Sequence, residues 1–187
     1  LTNLMELCRL QGTEDSVFMM GSSSKVTLAG AGISFLGGSK SNLDYFLEQM
    51  ACWTIGPDKV NQLRHTRLLP DLAATKKHML QHAEITQPKF KLVLDKLEES
   101  FSGLEMGTWI HPEGGYFISF DSLPGHAREI VRLAGEAGVK LTPAGSTFPY
   151  GVDPEDKNIR ISPTFPPLAD LSAAMEVFVN CVQLATL

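Results

Sequence analysis

The chain opens with apolar residues at helical spacing. Leu1, Leu4, Met5 and Leu7 recur in this way, so the pattern predicts a helix from the first residue to about Gly12, with no clear N-cap before it. Such a start is typical of a chain that begins inside a helix. We therefore expect further sequence upstream.

Short apolar runs separated by polar loops follow this helix. Residues 16–20 are almost wholly apolar, as in a strand buried on both faces, and they lead into the polar loop 21–25. A second apolar run, 33–36, precedes a helix that is predicted to begin at Ser39 or Ser41, because short polar side chains cap helices. Strand, loop, strand and helix in this order predict an α/β fold.

The middle of the chain is predicted to hold one long helical stretch. Residues 54–62 contain a Gly-Pro turn and break the apolar pattern. Helical spacing then begins at Pro70 and reaches about Phe101. Pro88 lies inside this stretch and lacks a backbone donor, so we expect either a bend or a break there.

The rest of the chain alternates strands with helices. Strands are predicted over residues 107–111, 116–120 and 158–162. Helices are predicted from about Gly125 to Ala137 and over a final apolar stretch from Leu168 to Val182. This second half predicts a small α+β domain.

Composition narrows the function classes. Of the 187 residues, 43% are hydrophobic and 20% are charged, which is typical of a globular protein, and a net charge of −5 without a basic run disfavours a nucleic-acid surface. No apolar run approaches the roughly 20 residues of a membrane helix. Cys8, Cys52 and Cys181 are too far apart for a disulfide framework or a zinc site, which favours a reducing cytoplasm. Small-molecule chemistry is the better expectation.

Lys25 is the candidate for covalent chemistry. It follows a predicted buried strand, at the carboxyl end where α/β sheets present ligands, and it lies in a loop with three serines. A lysine with a lowered pKa attacks carbonyls and forms an imine with an aldehyde cofactor, while serine hydroxyls and loop amides suit a phosphate. On local composition alone, a solvated lysine in a flexible turn remains an open alternative.

Rival motifs find little support. Ser22 and Lys25 satisfy the Ser-x-x-Lys pattern of penicillin-binding enzymes, but the companion Ser-Asp-Asn and Lys-Thr-Gly elements do not occur in the sequence. The glycines between residues 30 and 38 fit neither the phosphate-binding P-loop nor the dinucleotide fingerprint. His78 and His82 stand four residues apart, but no metal site is expected from this pair.

Five segments, in order, resemble one enzyme family. Residues 22–32 (SSSKVTLAGAG) are similar to the cofactor-lysine signature of fold-type I pyridoxal-phosphate (PLP) enzymes, and residues 112–117 (PEGGYF) to a hairpin of the aminotransferase small domain. Residues 158–162 (NIRIS) resemble the strand whose arginine binds the substrate α-carboxylate. Together with residues 54–58 and 142–151, they resemble the MocR-like aminotransferase family of class I/II, which includes aspartate aminotransferases, over essentially the whole chain.

This resemblance implies the α/β PLP-dependent transferase fold of type I. Residues 1–69 would form the C-terminal end of the PLP-binding large domain, and residues 70–187 the linking helix and the small α+β domain. The implied activity is amino group transfer between an amino acid, with aspartate as a candidate, and a 2-oxo acid. The implied protein is cytoplasmic and a homodimer when full length, with no nucleic-acid, membrane or metal partner.

The resemblance also assigns roles to individual residues. Lys25 would hold the cofactor as an imine and move a proton at the substrate Cα. Ser22 and Ser24 would bind the cofactor phosphate, and Arg160 would bind the substrate α-carboxylate through its planar fork. The glycine pair 114–115 is expected to form a tight hairpin that needs positive φ.

Two departures and two alternatives accompany this interpretation. Many relatives carry a phosphate-binding arginine where this chain has Gly32 and Ile33. The acidic and aromatic partners of the cofactor ring have no credible place in residues 1–24, so a protein limited to this chain is expected to be inactive. The alternatives are the effector domain of a MocR-type transcription regulator and another fold-type I enzyme such as a lyase. Arg160 favours transamination, because it retains the carboxylate.

Overall fold

The computed structural model describes residues 2–187. The chain divides into two compact units, Leu1–His82 and Ala83–Leu187. The division falls inside a long helix, whereas the sequence placed a domain boundary at residues 69 and 70. The assignment of these parts to a large and a small domain stays a prediction.

The first unit opens with helix α1, Leu4–Gln11. The side chain of Asn3 accepts a hydrogen bond from the backbone N of Met5 at 3.0 Å, so the predicted uncapped start is wrong. A carboxamide oxygen satisfies one of the amide donors that the first helical turn leaves unpaired. Gly12 ends the helix with φ at 66°, as predicted from the sequence.

A two-stranded antiparallel sheet follows α1. A short 3-10 turn, Glu14–Ser16, leads into β1, Phe18–Ser22, which pairs with β2, Ser34–Gly38. The strand predicted at residues 16–20 therefore begins two residues later. Its predicted burial is wrong as well, because all five residues of β1 are exposed and Met20 is 81% exposed. The reason is that its side chains point to the two faces of a two-stranded sheet, and neither face is covered by a packed layer of the first unit.

Two helices and the first part of a third complete the first unit. Helix α2, Lys40–Met50, is capped by Ser39 as predicted, and α3, Lys59–Leu68, is capped by Asp58. The sequence missed α3 because its residues, KVNQLRHTRL, include few apolar positions with helical spacing. Helix α4, Leu72–Phe101, continues through Pro88, so the predicted break is absent. One missing backbone donor in a helix of 30 residues leaves its other hydrogen bonds in place.

The second unit contains a three-stranded antiparallel sheet in the order β3-β4-β5. The strands are Gly107–Trp109, Ile118–Ser122 and Asn158–Ile161. Helix α5 spans Ala127–Glu136, and α6 spans Leu168–Thr186. The predicted strands are present within about two residues of their expected positions, with a short 3-10 turn at residues 149–151 before β5.

The core of the second unit lies between this sheet, the end of α4, α5 and α6. Alternate residues of β4 are buried, and the same alternation places Ile159 and Ile161 of β5 in the core. Phe120 contacts three aromatic rings of this unit, with centroids 5.3–6.5 Å away. Apolar burial thus fixes the register of β5 and directs its alternate residues away from the core.

Helix α6 has the length and apolar composition of a membrane-crossing helix. Six of its side chains are buried in the second unit: Leu171, Met175, Phe178, Val179, Cys181 and Val182. A core helix passes the same test of length and composition, so this helix alone is weak evidence for a membrane span.

Candidate active site

Lys25 lies in the loop that connects β1 to β2. The backbone N of Ser23 donates to the carbonyl of Ile33 at 2.8 Å and closes the loop at its base. Within the loop, the amides of Val26 and Thr27 both donate to the carbonyl of Ser23 at 2.9 Å. Lys25 therefore sits in a single helix-like turn whose two ends are held together.

Two serine hydroxyls converge beside this turn. The Oγ atoms of Ser22 and Ser24 are 2.8 Å apart, and the amide of Ser24 donates to Ser22 Oγ at 3.2 Å. Gly32 passes directly over Ser24, since a Cβ at position 32 would lie 2.7 Å from Ser24 Oγ. Glycine is thus required at position 32, one of the two positions at which the resemblance implied an arginine.

A buried histidine of α3 anchors the same turn. Thr27 Oγ1 lies 2.8 Å from His65 Nε2 and 3.0 Å from Ser23 Oγ, which also accepts from the amide of Ile33 at 2.9 Å. His65 Nδ1 donates to the carbonyl of Asn61 at 2.9 Å. Sequence reasoning missed His65, because α3 was not predicted and the partners of the ring lie 38 and 42 residues away.

Two more side chains hold the loop. Asn61 Nδ2 donates to the carbonyl of Ala31 at 2.8 Å, and His78 Nε2 of α4 donates to the carbonyl of Val26 at 2.8 Å. The rings of His78 and His82 are 4.5 Å apart. Among residues 2–187, no group of three or more His, Cys, Asp and Glu side chains gathers as a metal site. The contact that His78 makes with the lysine loop is its hydrogen bond to Val26, which has a structural role.

Arg160 belongs to the second unit and lies on β5, opposite Ser119 of β4. Its neighbours Ile159 and Ile161 are in the core, so the alternation of the strand directs Arg160 to the other face. The guanidinium carbon lies 4.5 Å from the centroid of the Phe117 ring. The Nε atom is buried and makes no hydrogen bond. A buried donor without a partner costs free energy, so this N–H group is suited to donate a hydrogen bond to a ligand.

A buried carboxylate orders the chain just before Arg160. Asp153 is 4% exposed and accepts hydrogen bonds from the amides of Glu155, Lys157 and Asn158 at 2.8–3.0 Å. Burial alone would raise the pKa of Asp153, but these three amides hold the pKa below its ordinary value. Asn158 in turn donates to Ser119 Oγ at 2.9 Å, which fixes the start of β5.

The loop before β4 carries the two predicted hairpin glycines. Gly115 has φ at 92°, which confirms the prediction for that position. Gly114 does not have positive φ, so the prediction is wrong there, because a single left-handed residue suffices for this turn. The loop leads to Phe117, two residues later, and thus to the ring beside Arg160.

Each unit has an open pocket that is lined by one predicted site residue, Ser22 in the first unit and Arg160 in the second. In the first unit a pocket of about 410 Å³ is lined by Ser22, Ser23 and His65 among apolar side chains. In the second unit a pocket of about 660 Å³ is lined by Arg160 and by apolar residues of α6. The structure thus brings Ser22, Ser24 and Lys25 together in one loop of the first unit, while Arg160 belongs to the second.

Comparison with known proteins decides the family. Residues 1–187 match the family described as Aspartate amino-transferase. The chain belongs to the aspartate amino-transferase family. The resemblance predicted from the sequence is thereby confirmed at the level of the family and of the fold, while the MocR-like branch stays a prediction.

Individual relatives agree with this membership. A protein from Mycolicibacterium smegmatis that is named as an aminotransferase is 45% identical over 183 residues, which are 98% of this chain and 43% of that protein. The crystal structure of an aspartate transaminase from Corynebacterium glutamicum is 40% identical, with a TM-score of 0.93 over 98% of this chain and 43% of that one. The chain therefore spans less than half the length of the relatives it matches.

A more distant structure supports the fold alone. The alpha-aminoadipate aminotransferase of Thermus thermophilus, complexed with N-(5'-phosphopyridoxyl)-L-leucine, is 20% identical. Its TM-score is 0.80, over all of this chain and 46% of that one. The α/β fold is thus shared with a protein whose sequence differs widely from this one.

Proposed function

We propose that the protein containing this chain is a PLP-dependent aminotransferase. It transfers an amino group between an amino acid, with aspartate as the first candidate, and a 2-oxo acid. The observation that carries the proposal is the turn at Lys25, where the paired hydroxyls of Ser22 and Ser24 lie 2.8 Å apart beside the lysine. Family membership adds the reaction class.

The residues of this loop suit the cofactor. The paired hydroxyls of Ser22 and Ser24 offer donors to a phosphate, and Gly32 leaves room for the chain to pass close to them. Lys25 lies next to these hydroxyls in the chain, so it is placed to hold the aldehyde end of the same molecule. No cation stands at residues 32 and 33, so hydroxyls and amides of the loop provide the phosphate contacts in this proposal.

PLP, when bound, supplies the electron sink that stabilises negative charge at the substrate Cα. Lys25 contributes its Nζ, which moves a proton at that carbon as a general base and acid. Arg160 binds the α-carboxylate, and its buried Nε gains the acceptor that it lacks. The ring of Phe117, 4.5 Å from the guanidinium carbon, restricts the plane of the fork.

The proposed enzyme includes more chain than these residues. We place residues 1–69 at the end of a larger cofactor-binding domain and residues 70–187 in the linking helix and the small domain. The exposed apolar strand β1 supports this placement, because a strand of such composition is normally covered on at least one face. The family further suggests a cytoplasmic homodimer.

Covalent fixation tests the role of Lys25. The full-length protein is treated with PLP and borohydride, which fixes the cofactor to the lysine that holds it, and is then mapped by peptide mass spectrometry. We expect the label on Lys25 and its loss in Lys25→Ala. Lys40→Arg is the matched control, because Lys40 is exposed and pairs with Asp44 on α2. A label on another lysine would contradict the assignment.

Amino group transfer is tested separately. The full-length protein is incubated with aspartate, alanine and glutamate in turn, and the conversion of PLP to its amine form is followed by absorbance. We expect conversion with aspartate at a rate equal to or above that of the other two. Retention of the label at Lys25 without conversion by any amino acid would instead favour a binding role.

A further inference from the structure

His65 is unusual in the first unit. It is 4% exposed and is the one buried side chain among the described residues of that unit. A polar ring is costly to bury unless both of its nitrogens are paired. Both are paired here, one within α3 and one with the lysine loop.

The partners fix the direction of each hydrogen bond. The carbonyl of Asn61 only accepts, so His65 Nδ1 carries the proton and Nε2 of the neutral ring accepts from the hydroxyl of Thr27. The hydroxyl of Thr27 also lies 3.0 Å from Ser23 Oγ, which accepts from the amide of Ile33. These polar contacts connect the base of the loop to α3.

We propose that His65 is the positioning residue of the cofactor lysine. Ser23 and Thr27 lie two residues on either side of Lys25, and these polar contacts tie both to one rigid ring. His65 thereby sets the place from which Lys25 Nζ reaches the cofactor aldehyde. His65 acts on Lys25 through Ser23 and Thr27 in this proposal. The inference rests on the proposed function, because it assigns a support to the lysine named there.

The readout is the rate at which the lysine joins the cofactor. Lys25 Nζ forms a C=N bond with the aldehyde carbon of PLP, and the aldehyde oxygen leaves as water. Borohydride then adds hydride to the carbon and fixes the product. Cofactor-free full-length protein is mixed with PLP and quenched with borohydride at increasing times, and the labelled fraction at Lys25 is measured by mass spectrometry.

Four variants separate positioning from general stability. His65→Leu keeps apolar bulk in the buried site but removes the acceptor, while His65→Gln places an amide oxygen near the position of Nε2. Thr27→Val removes the donor at the other end of the same bond. Ser39→Ala is the matched control, because it removes the cap of α2 in the same unit and leaves the lysine loop intact.

We expect His65→Leu and Thr27→Val each to slow labelling of Lys25 by about tenfold, because a reactive group that is poorly positioned loses rate steeply. The double variant is expected to be no slower than either single one, since both remove one bond. His65→Gln is expected within about threefold of the wild type, and Ser39→Ala equal to it.

Each other outcome has a defined meaning. Wild-type labelling rates in His65→Leu would overturn the positioning role while leaving the proposed function in place. If His65→Leu does not fold, unchanged labelling in Thr27→Val overturns it in the same way. Equally slow labelling of Lys25 in Ser39→Ala would show that the effect comes from a general loss of stability, and this too would overturn the positioning role. A wild-type protein without label at Lys25 would refute the proposed function itself.

Discussion

The two units of the chain are stabilised in different ways. All the buried apolar side chains of the described residues belong to the second unit, where they form one cluster between the sheet and three helices. In the described part of the first unit the single buried side chain is His65, and large apolar side chains such as Met20, Phe35 and Trp53 are exposed. Apolar burial is thus the main stabilising term in the second unit alone.

Capping residues and polar contacts define the first unit instead. Asn3, Ser39 and Asp58 each cap a helix, and the lysine loop is held through side chains of α3 and α4. Each such contact contributes on the order of 1 kcal/mol, against several for a buried aromatic ring. The proposed cofactor lysine therefore lies in the unit with directional contacts, and the proposed substrate arginine lies beside a packed core.

The largest expected effect comes from the core of the second unit. Phe120→Ala should lower the free energy of unfolding of that unit by about 3–5 kcal/mol, because Phe120 is fully buried against Phe101, Trp109 and Phe178. Met20→Ala in exposed β1 should change stability by less than about 0.5 kcal/mol. Hydrogen exchange measured by mass spectrometry on peptides of β4 and β1 reports each unit separately. Similar effects at both positions would remove the contrast between the units.

Asp153→Asn should cost about 2 kcal/mol in the second unit, because an amide group cannot accept all three backbone donors. The pKa of Asp153 is lowered in the folded state, so its stabilisation is present above the ordinary pKa of 3.8 and is lost as the pH falls through the folded value. The stability difference between wild type and variant should therefore shrink below pH 3.8. Hydrogen exchange of β5 amides between pH 7 and pH 3 measures this stability difference. Glu98→Gln is the control, because Glu98 is exposed. A difference that does not depend on pH would exclude the carboxylate as its cause.

Arg160→Lys separates the proposed roles of the two units. A lysine loses the two-pronged contact with a carboxylate, so KM for the amino acid should rise about tenfold or more while PLP affinity stays unchanged. Ser22→Ala in the first unit is the reciprocal variant and should weaken PLP while leaving KM for the amino acid nearly constant. Steady-state kinetics and PLP titration of the full-length protein measure both quantities. Equal losses of substrate and cofactor binding in Arg160→Lys would move this residue out of the substrate site.

The smallest expected effect concerns Phe117. Phe117→Leu removes the ring beside the guanidinium of Arg160 and should raise KM about threefold, which is the scale of an exposed cation–π contact. Phe117→Tyr retains the ring and should behave like the wild type. Because Phe117 is 40% exposed, neither variant should change the unfolding of the second unit by more than about 1 kcal/mol. An unchanged KM for Phe117→Leu would show that the hydrophobic contact, and not the ring, is what matters.

Local patterns in the sequence determined much of this protein. The alternation in β5 predicts that Arg160 faces away from the core, and Gly12 and Ser39 mark the end of α1 and the start of α2. The ordered motifs also identified the family from the sequence. These features depend on residues a few positions apart, whose geometry is fixed by the backbone of one helix, strand or turn.

Only the tertiary structure decided how the lysine loop is held. The place of His65 depends on Thr27 and Ser23, 38 and 42 residues earlier in the chain, and on a helix whose apolar spacing is too weak to predict. The apolar run of β1 likewise predicts burial, but exposure depends on which strands and helices pack against it. Spacing along the chain determines the direction in which a side chain points within its helix or strand. The residue that this side chain contacts is determined by the packing of elements far apart in the sequence, and a local pattern carries no information about that packing.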